Sequence, residues 1–346
     1  MQSKIRKLNK EILRLALPSI ITNITVPLLG MVDVAIVGHI GNASYIAAIA
    51  LATMVFNLIY WNFGFLRMGT SGLTAQAYGA NDKAEYLHVL VRGLTIALAA
   101  ALMLILLQRP IGYLCQKWIH SSEETLALTL TYFYIRIWAA PANLALYVLK
   151  GWFIGMQNAK TPMWIAIILN IVNIICSLVF VFVLHAGIAG VAWGTVIAQY
   201  SGLALAVTLW FVQYGELRHD IRIRESLHWH EMVQFFKING DIFLRTLCLI
   251  AVFTFIPYIS AEMGDEVLAA NTLLMQLFTL LSYIMDGFAY AGESLVGRFY
   301  GAKDEQSLRI CIRKLLLWGV GLATAFTILY ATCGRALLGI LTSDKA

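Results

Sequence analysis

The stretch QAYGANDKAE at residues 76–85 returns as RFYGAKDEQS at 298–307, with Tyr78, Gly79, Ala80 and Asp82 recurring as Tyr300, Gly301, Ala302 and Asp304 at an offset of 222. Upstream, GNASYIAAIA at 41–50 matches GDEVLAANTL at 264–273 at an offset of 223, and downstream RPIGYL at 109–114 falls near GRALLGIL at 334–341. The chain is an internal duplication, and hydropathy says what is duplicated. The 346 residues are 60% hydrophobic and 13% charged, with a mean hydropathy of +0.75. A soluble chain carries charge on roughly a quarter of its residues. Apolar runs of 18 or more recur here instead, which identifies an all-α polytopic membrane protein.

The runs place spans at 12–38, 45–67, 88–108, 125–149, 162–184, 187–211, 238–261, 266–291 and 308–330, with a further connection beginning at Arg335. Six spans separate the repeated stretches, an even number, so both copies run the same way through the membrane. Parallel repeats imply a pseudo-two-fold axis along the membrane normal and a cleft between the halves. The expected organisation is a six-helix bundle over 1–211, a linker over 212–237, and about three helices of an incomplete second bundle over 238–346.

Of the 25 Lys and Arg residues, 18 fall on the side of the membrane that holds the N-terminus. That bias puts the N-terminus in the cytoplasm. The net charge of +6 thus follows topology and gives no argument for nucleic-acid binding. The first apolar run is too long for a signal-peptide core and reads as a retained span. The five cysteines are widely spaced, contain no CxxC pair and read as packing residues. The charged stretch YGELRHDIRIRESLHWHEMVQFFK reads as a surface-lying amphipathic linker. Its His228, His230 and Glu231 could hold a metal, but an i, i+2 spacing turns the two rings to different helix faces, so no metal site is expected.

Polar groups inside the spans carry the functional reading. Asp33 lies in LPSIITNITVPLLGMVDVAIVGHIG, residues 17–41, a run broken by Pro18 and Pro27. A carboxylate at that depth costs about 2.5–3.5 kcal/mol on insertion scales and marks a functional site. Asn173 and Ser177, at i, i+4 in the fifth span, share one helix face. Thr195 in the sixth span reaches a similar level in the outer half. Together these four form a candidate proton or cation site; the alternative is that Asn170, Asn173 and Thr195 only bind helices together.

A second group lies towards the inner side. Asp241 and Arg245 are i, i+4 at the start of the seventh span. Superposing the repeats sets Ala289 opposite Arg67, one turn from both Asp286 and Glu293, so a cross-repeat pair between Arg67 and one of these acids is expected. These residues read either as an ion-pair network closing the inner face or as a gate or substrate contact. Arg136, in mid-span, should face the cavity or an acid. The aromatics Tyr60, Trp61, Phe63, Phe65, Trp138, Tyr147, Trp152 and Phe153 read mostly as interfacial anchors. No GxxxxGK[ST], HExxH, GxSxG or paired-aspartate motif is present, so an integral-membrane enzyme lacks a constellation.

With MVDVAIVGHIG at 31–41, LRMGTSGLTAQAYGA at 66–80 and KGWFIGMQNAKTPMW at 150–164, the chain resembles the multidrug and toxic compound extrusion (MATE) family, in its DinF-like branch. The resemblance implies two six-helix lobes around a cleft and cation-driven export of organic compounds by alternating access. It implies an ion-coupling site at Asp33, Asn173 and Thr195. The family position four residues after Asn173 is often a second aspartate, and Ser177 stands there. That departure favours protonation of Asp33, with Pro27 as the helix kink, over a sodium site. Family members have twelve helices, so the resemblance also implies a truncated form. The expected partners are the bilayer and small amphipathic or cationic organic substrates, without cofactor or nucleic acid. A monomer in the bacterial inner membrane is expected, and a flippase for lipid-linked precursors is the alternative transport reading.

Overall fold

A computed structural model describes residues 2–38, 43–119 and 121–341; the start of the repeated stretch 41–50, at 41–42, lies outside the described residues. Lipid offers no partner to backbone polar groups, so apolar runs satisfy them within helices. Nine segments among the described residues are long and apolar enough to cross a membrane, in the expected order. They are built from α1 (Gln2–Gly38), α2 (Ala43–Asn62) continued by α3 (Gly64–Gly79), and α4 (Lys83–Leu106). After the short α5 (Gln108–Trp118) come α6 (Glu123–Arg136) continued by α7 (Ala140–Gly155), α8 (Lys160–Leu178) and α9 (Gly187–Tyr214). The short α10 (Ile223–Ser226) leads to α11 (Trp229–Glu262), α12 (Asp265–Gly301) and α13 (Glu305–Leu341). No strand occurs among the described residues. The end of the bundle that carries Gln2 is called the inner end below.

Several helices run beyond the expected spans, among them α1 from Gln2, α11 from Trp229 and α12 to Gly301. The second span was expected to stop at Arg67, yet α3 carries it on to Gly79. Residues 68–79 are mostly small or polar and so read as a loop, but Gly69, Thr70, Ser71, Thr74 and Ala75 are buried against protein. Small residues let helices approach closely, and hydropathy does not register that. At the other end, Arg335 opens no connection, because α13 continues to Leu341.

The duplication is exact in its turns. Residues Asn81 and Lys303 take left-handed φ values of 57° and 56°. Around them Asn81 N–H donates to Tyr78 O and Asp82 N–H to Ala77 O, while Lys303 donates to Tyr300 O and Asp304 to Phe299 O. These are the paired bonds that close a helix end around a left-handed residue. Asp82 and Asp304 then each accept the backbone N–H three residues on, from Glu85 and Ser307, at 3.0 Å. The equivalent helix ends also cross reciprocally: Gly79 packs on the carbonyl of Arg298, and Gly301 on the carbonyl of Gln76, the residue equivalent to Arg298. A Cβ at either glycine would enter that backbone, so the close crossing requires glycine at both.

The first helix belongs to two cores. Leu8, Ile12, Leu15 and Ala16 pack with Phe288, Ala291 and Leu295 of α12 and Cys311 of α13. Beyond Pro18 and Pro27, Ile36 and Val37 join the large core of the first repeat, with Phe56, Phe133, Leu144, Trp152 and Ala198. Arg298 reinforces the inner contact through a 2.6 Å ion pair to Glu11.

Residues 212–237 do not lie apart from the bundle. Arg92 of α4, 4% exposed, donates to Ser226 O at 2.8 Å and pairs with Glu85 at 2.8 Å and Glu231 at 3.4 Å. Phe235 enters the first-repeat core. Glu231 of the HWHE cluster is therefore engaged by arginine, and His228 and His230 are exposed.

Replacing Gly301 by valine is expected to destabilise by more than the ~1–3 kcal/mol usual for overpacking, because backbone rather than a flexible side chain blocks the new group. The thermal unfolding midpoint of the detergent-solubilised protein measures this. An unchanged midpoint would show that the helices do not cross this closely.

Candidate functional site

The outer site forms where α1, α6, α8 and α9 meet. Gly194 allows α9 to lie against Ser177 of α8, since a side chain there would collide with Ser177. The facing polar groups are then buried: Asn173 and Ser177 are fully enclosed, Thr195 is 4% exposed and Asp33 8%. Asn173 Nδ2 donates to Thr195 Oγ1 at 3.1 Å, and Ser177 Oγ donates to Asn173 Oδ1 at 3.5 Å. Thr195 Oγ1 in turn donates to Val191 O at 3.1 Å, and the Tyr132 hydroxyl lies beside Thr195.

Asp33 joins this group through charge. Its Oδ1 is buried and without a hydrogen-bond partner among the described residues. Both Arg136 and Tyr132 interact with it electrostatically. For Arg136 the expectation is the cavity or gate, or an acid without an identified partner. It lies at the outer site, with Nη1 donating to Tyr132 Oη at 3.2 Å and its guanidinium 4.7 Å from the centre of the Phe56 ring. Asn170 is separate: its Nδ2 donates to Thr25 O at 3.2 Å, just before Pro27.

The inner site spans the two repeats. Arg67 Nη1 meets Glu293 Oε2 at 3.2 Å, and its Cζ lies 3.7 Å from the centre of the Tyr290 ring. Of the two acids one turn from Ala289, Glu293 makes the contact. Asp286 is exposed and interacts at longer range with Arg67 and Arg245. Asp241 and Arg245 are both exposed, and no ion pair joins them among the described residues. Around the pair, Ser294 Oγ donates to Ile154 O at 2.6 Å and Gln157 Nε2 to Ser294 O at 2.9 Å, fastening α12 to α7. A cavity of about 460 Å³ lies alongside, lined by Gly72, Gln76, Gly292, Glu293 and Tyr300.

Tyr60, expected as an interfacial anchor, and Tyr132, on which no expectation falls, belong to the outer site, and Tyr147, also expected as an anchor, interacts with Tyr290 and Arg67 of the inner one. Tyr60 is only 8% exposed and its hydroxyl faces Arg136. Phe65, Trp152 and Phe153 are likewise core rather than interfacial residues, whereas Trp61 and Trp138 stay exposed. A usable signal existed for Tyr132: it precedes Arg136 by four residues, so the two share a helix face.

The sequence pattern of the MatE family matches residues 18–179 and 242–346, which include parts of both repeats, with Asp33, Asn173 and Ser177 of the outer site and Arg67 and Glu293 of the inner one. The chain belongs to the MatE family. The DNA damage-inducible protein F of Escherichia coli (strain K12) is 36% identical over 342 residues, covering 97% of this chain and 73% of that protein. Protein DETOXIFICATION 44, chloroplastic, of Arabidopsis thaliana is 25% identical and covers 99% and 66%. A MOP superfamily transporter from Pyrococcus furiosus superposes with a TM-score of 0.87 at 20% identity, over 98% of this chain and 75% of that one, which shows the shared fold. The chain thus spans about two-thirds to three-quarters of the length of these relatives. As a MatE member it is a multi-pass membrane protein of a transporter family, and not an enzyme.

The Arg67–Glu293 pair yields a direct test. Arg67→Met leaves a part-buried carboxylate unpaired and is expected to cost up to about 3 kcal/mol, the lower end for breaking a buried pair, whereas Arg67→Met combined with Glu293→Leu should recover most of it. Unfolding midpoints of the single and double variants decide this; purely additive losses would mean that the pair is not coupled.

Proposed function

We propose that this MatE transporter exports small amphipathic or cationic organic compounds in exchange for protons, with Asp33 as the proton-binding group. The same reading puts the inner end in the cytoplasm and the monomer in a bacterial inner membrane. Asp33 and its setting carry the proposal: a buried carboxylate with an unpartnered oxygen, a guanidinium in electrostatic range, and Ser177 rather than a second acid nearby. A metal cation entering this site would meet the field of Arg136 in a region of low dielectric. A proton needs only one carboxylate oxygen and adds no separate ion. The site therefore favours protons over sodium.

The two-core attachment of α1 supports a way for protonation to act. Neutralising Asp33 removes its attraction to Arg136 and loosens the outer half of α1. Pro27 has no N–H to give to the carbonyl of Asn23, so the helix is weakest between its two anchored ends. A bend there reshapes the outer cavity while the inner half stays packed on α12 and α13. Substrate and proton then exclude each other through the position of α1, without meeting at one carboxylate. The flippase alternative needs several uncompensated cations. Arg67 is already paired with Glu293 and Arg136 with the Asp33 site, so that reading is not adopted.

In proteoliposomes, Asp33→Asn should lower proton-driven efflux of cationic dyes by about tenfold or more, the range that loss of a required proton-binding group produces. Collapse of the proton gradient should abolish wild-type efflux, and collapse of a sodium gradient should leave it intact. Proton-driven efflux that survives Asp33→Asn would refute the assignment. Ser177→Asp supplies the second acid and is expected to introduce sodium stimulation; its absence would mean that Arg136 alone excludes the metal ion.

A further inference from the structure

The inner end of the first repeat holds a cavity of about 760 Å³ that belongs to neither site. Its walls come from the start of α4, the last turn of α9 and the 3₁₀ turn Gly215–Asp220 that follows. Buried Trp152 sets two of those walls. Its Nε1 donates to Tyr86 O at 2.8 Å, and its ring meets that of Tyr214 edge-on at 4.9 Å. Leu217 and Ile221 pack the turn against the first-repeat core, and Arg92 holds the chain beyond it through Ser226 O. The cavity is therefore preformed, and its size is that of a small-ligand site, about 300–1,000 Å³.

The lining changes character along the bundle axis. Phe211 and Val212 are 52% and 75% exposed near the end of a membrane-crossing helix, where their neighbours are acyl chains. Tyr86 and Tyr214 follow towards the inner end, amphipathic rings of the kind that sit at the membrane boundary. Lys83, Glu216 and Arg218 come last, and none of the three forms an ion pair among the described residues. Arg218 Nε donates to His219 Nε2 at 3.2 Å, which steadies the side chain and leaves its terminal nitrogens for a ligand. Asp82, beside Lys83, accepts the backbone N–H of Glu85, and Asp220 lies outside the lining. Charges of both signs thus converge on one cavity without neutralising each other.

We infer that this cavity binds the headgroup of a phospholipid that carries both a phosphate and a primary ammonium group. Lys83 and Arg218 take the phosphate, Glu216 takes the ammonium, and the acyl chains leave past Phe211 and Val212. Two cations give the phosphate charge-assisted hydrogen bonds. Basic cavities at the cytoplasmic end of membrane helices hold lipid headgroups. A purely anionic headgroup would meet Glu216 with repulsion, and a soluble phosphate would leave Phe211 and Val212 unused. A lipid seated here touches α4, α9 and the segment between the repeats together, so it joins Arg92 in fastening that segment. The cavity is separate from Asp33, and the inference does not depend on the coupling ion.

The test is native mass spectrometry of the delipidated full chain, titrated with phosphatidylethanolamine, phosphatidylglycerol or glycerophosphoethanolamine, with the affinity of the first adduct as the readout. Phosphatidylethanolamine should bind about tenfold or more tightly than phosphatidylglycerol, the difference that one hydrogen bond to a charged group makes. Lys83→Gln combined with Arg218→Gln should weaken phosphatidylethanolamine by about tenfold or more for the same reason. Glu216→Gln should abolish the preference between the two lipids. Glycerophosphoethanolamine carries the headgroup without acyl chains and should bind about tenfold or more weakly than the lipid, because it buries no apolar surface on Phe211 and Val212. Unchanged lipid affinity in the Lys83→Gln, Arg218→Gln variant overturns the site. Equal affinity for the two lipids in the wild type, or a preference that survives Glu216→Gln, overturns the zwitterionic headgroup. Glycerophosphoethanolamine bound as tightly as the lipid overturns a lipid as the occupant. All three substituted residues are exposed. Should the double variant nonetheless unfold at a lower midpoint without lipid, Arg218→Gln alone replaces it and is read in the same way.

Discussion

The reciprocal crossing at Gly79 and Gly301 is the contact on which the arrangement of the two repeats depends. Two helix ends meet backbone to backbone, each glycine against a carbonyl of the other copy. That closeness brings α12 against α3, α1 and α7 and so carries Glu293 to Arg67. Without it, the inner-end ion pair would be two separated charges in a low-dielectric region, which neither residue could bear alone. Small residues at the crossing and charged residues a few turns away are thus parts of one device. Steric fit sets the distance, and electrostatics makes that distance matter.

The same logic, in which one residue of a repeat is answered by its copy, explains what could be read without coordinates. Residues 76–85 and 298–307 announced the duplication because turn chemistry is local: a left-handed residue and a capping aspartate must stand at fixed places. Nine spans were legible because lipid-facing helices must be apolar, and repeat superposition narrowed the partner of Arg67 to Asp286 or Glu293, of which Glu293 makes the contact. The polar group of Asp33, Asn173, Ser177 and Thr195 could be ranked by depth, although its hydrogen bonds could not.

What remained hidden depends on which neighbour a helix face meets. Residues 68–79 are too polar to count as a span, yet they are buried by protein rather than lipid. Tyr60 and Trp61 are adjacent in sequence and similar in chemistry, but one faces Arg136 and the other is half-exposed. Arg136 could be placed in depth but not in azimuth, so its pairing with the outer site stayed open until α6 had a rotation. Arg92 counted as one more inner charge, whereas it is buried and ties the segment between the repeats to α4.

The division of α1 between two cores also bears on how the chain is made. Its inner half packs on α12 and α13, which are synthesised more than 200 residues later. The inner half of α1 therefore waits for its neighbours until α12 is made, and until then Glu11 and Asn23 lack their partners Arg298 and Tyr283. Contacts between distant parts of a chain form slowly. Biogenesis must therefore shelter the inner half of α1 while the helices between it and α12 are made, and any factor that attends membrane insertion of this protein would find a long-lived client there.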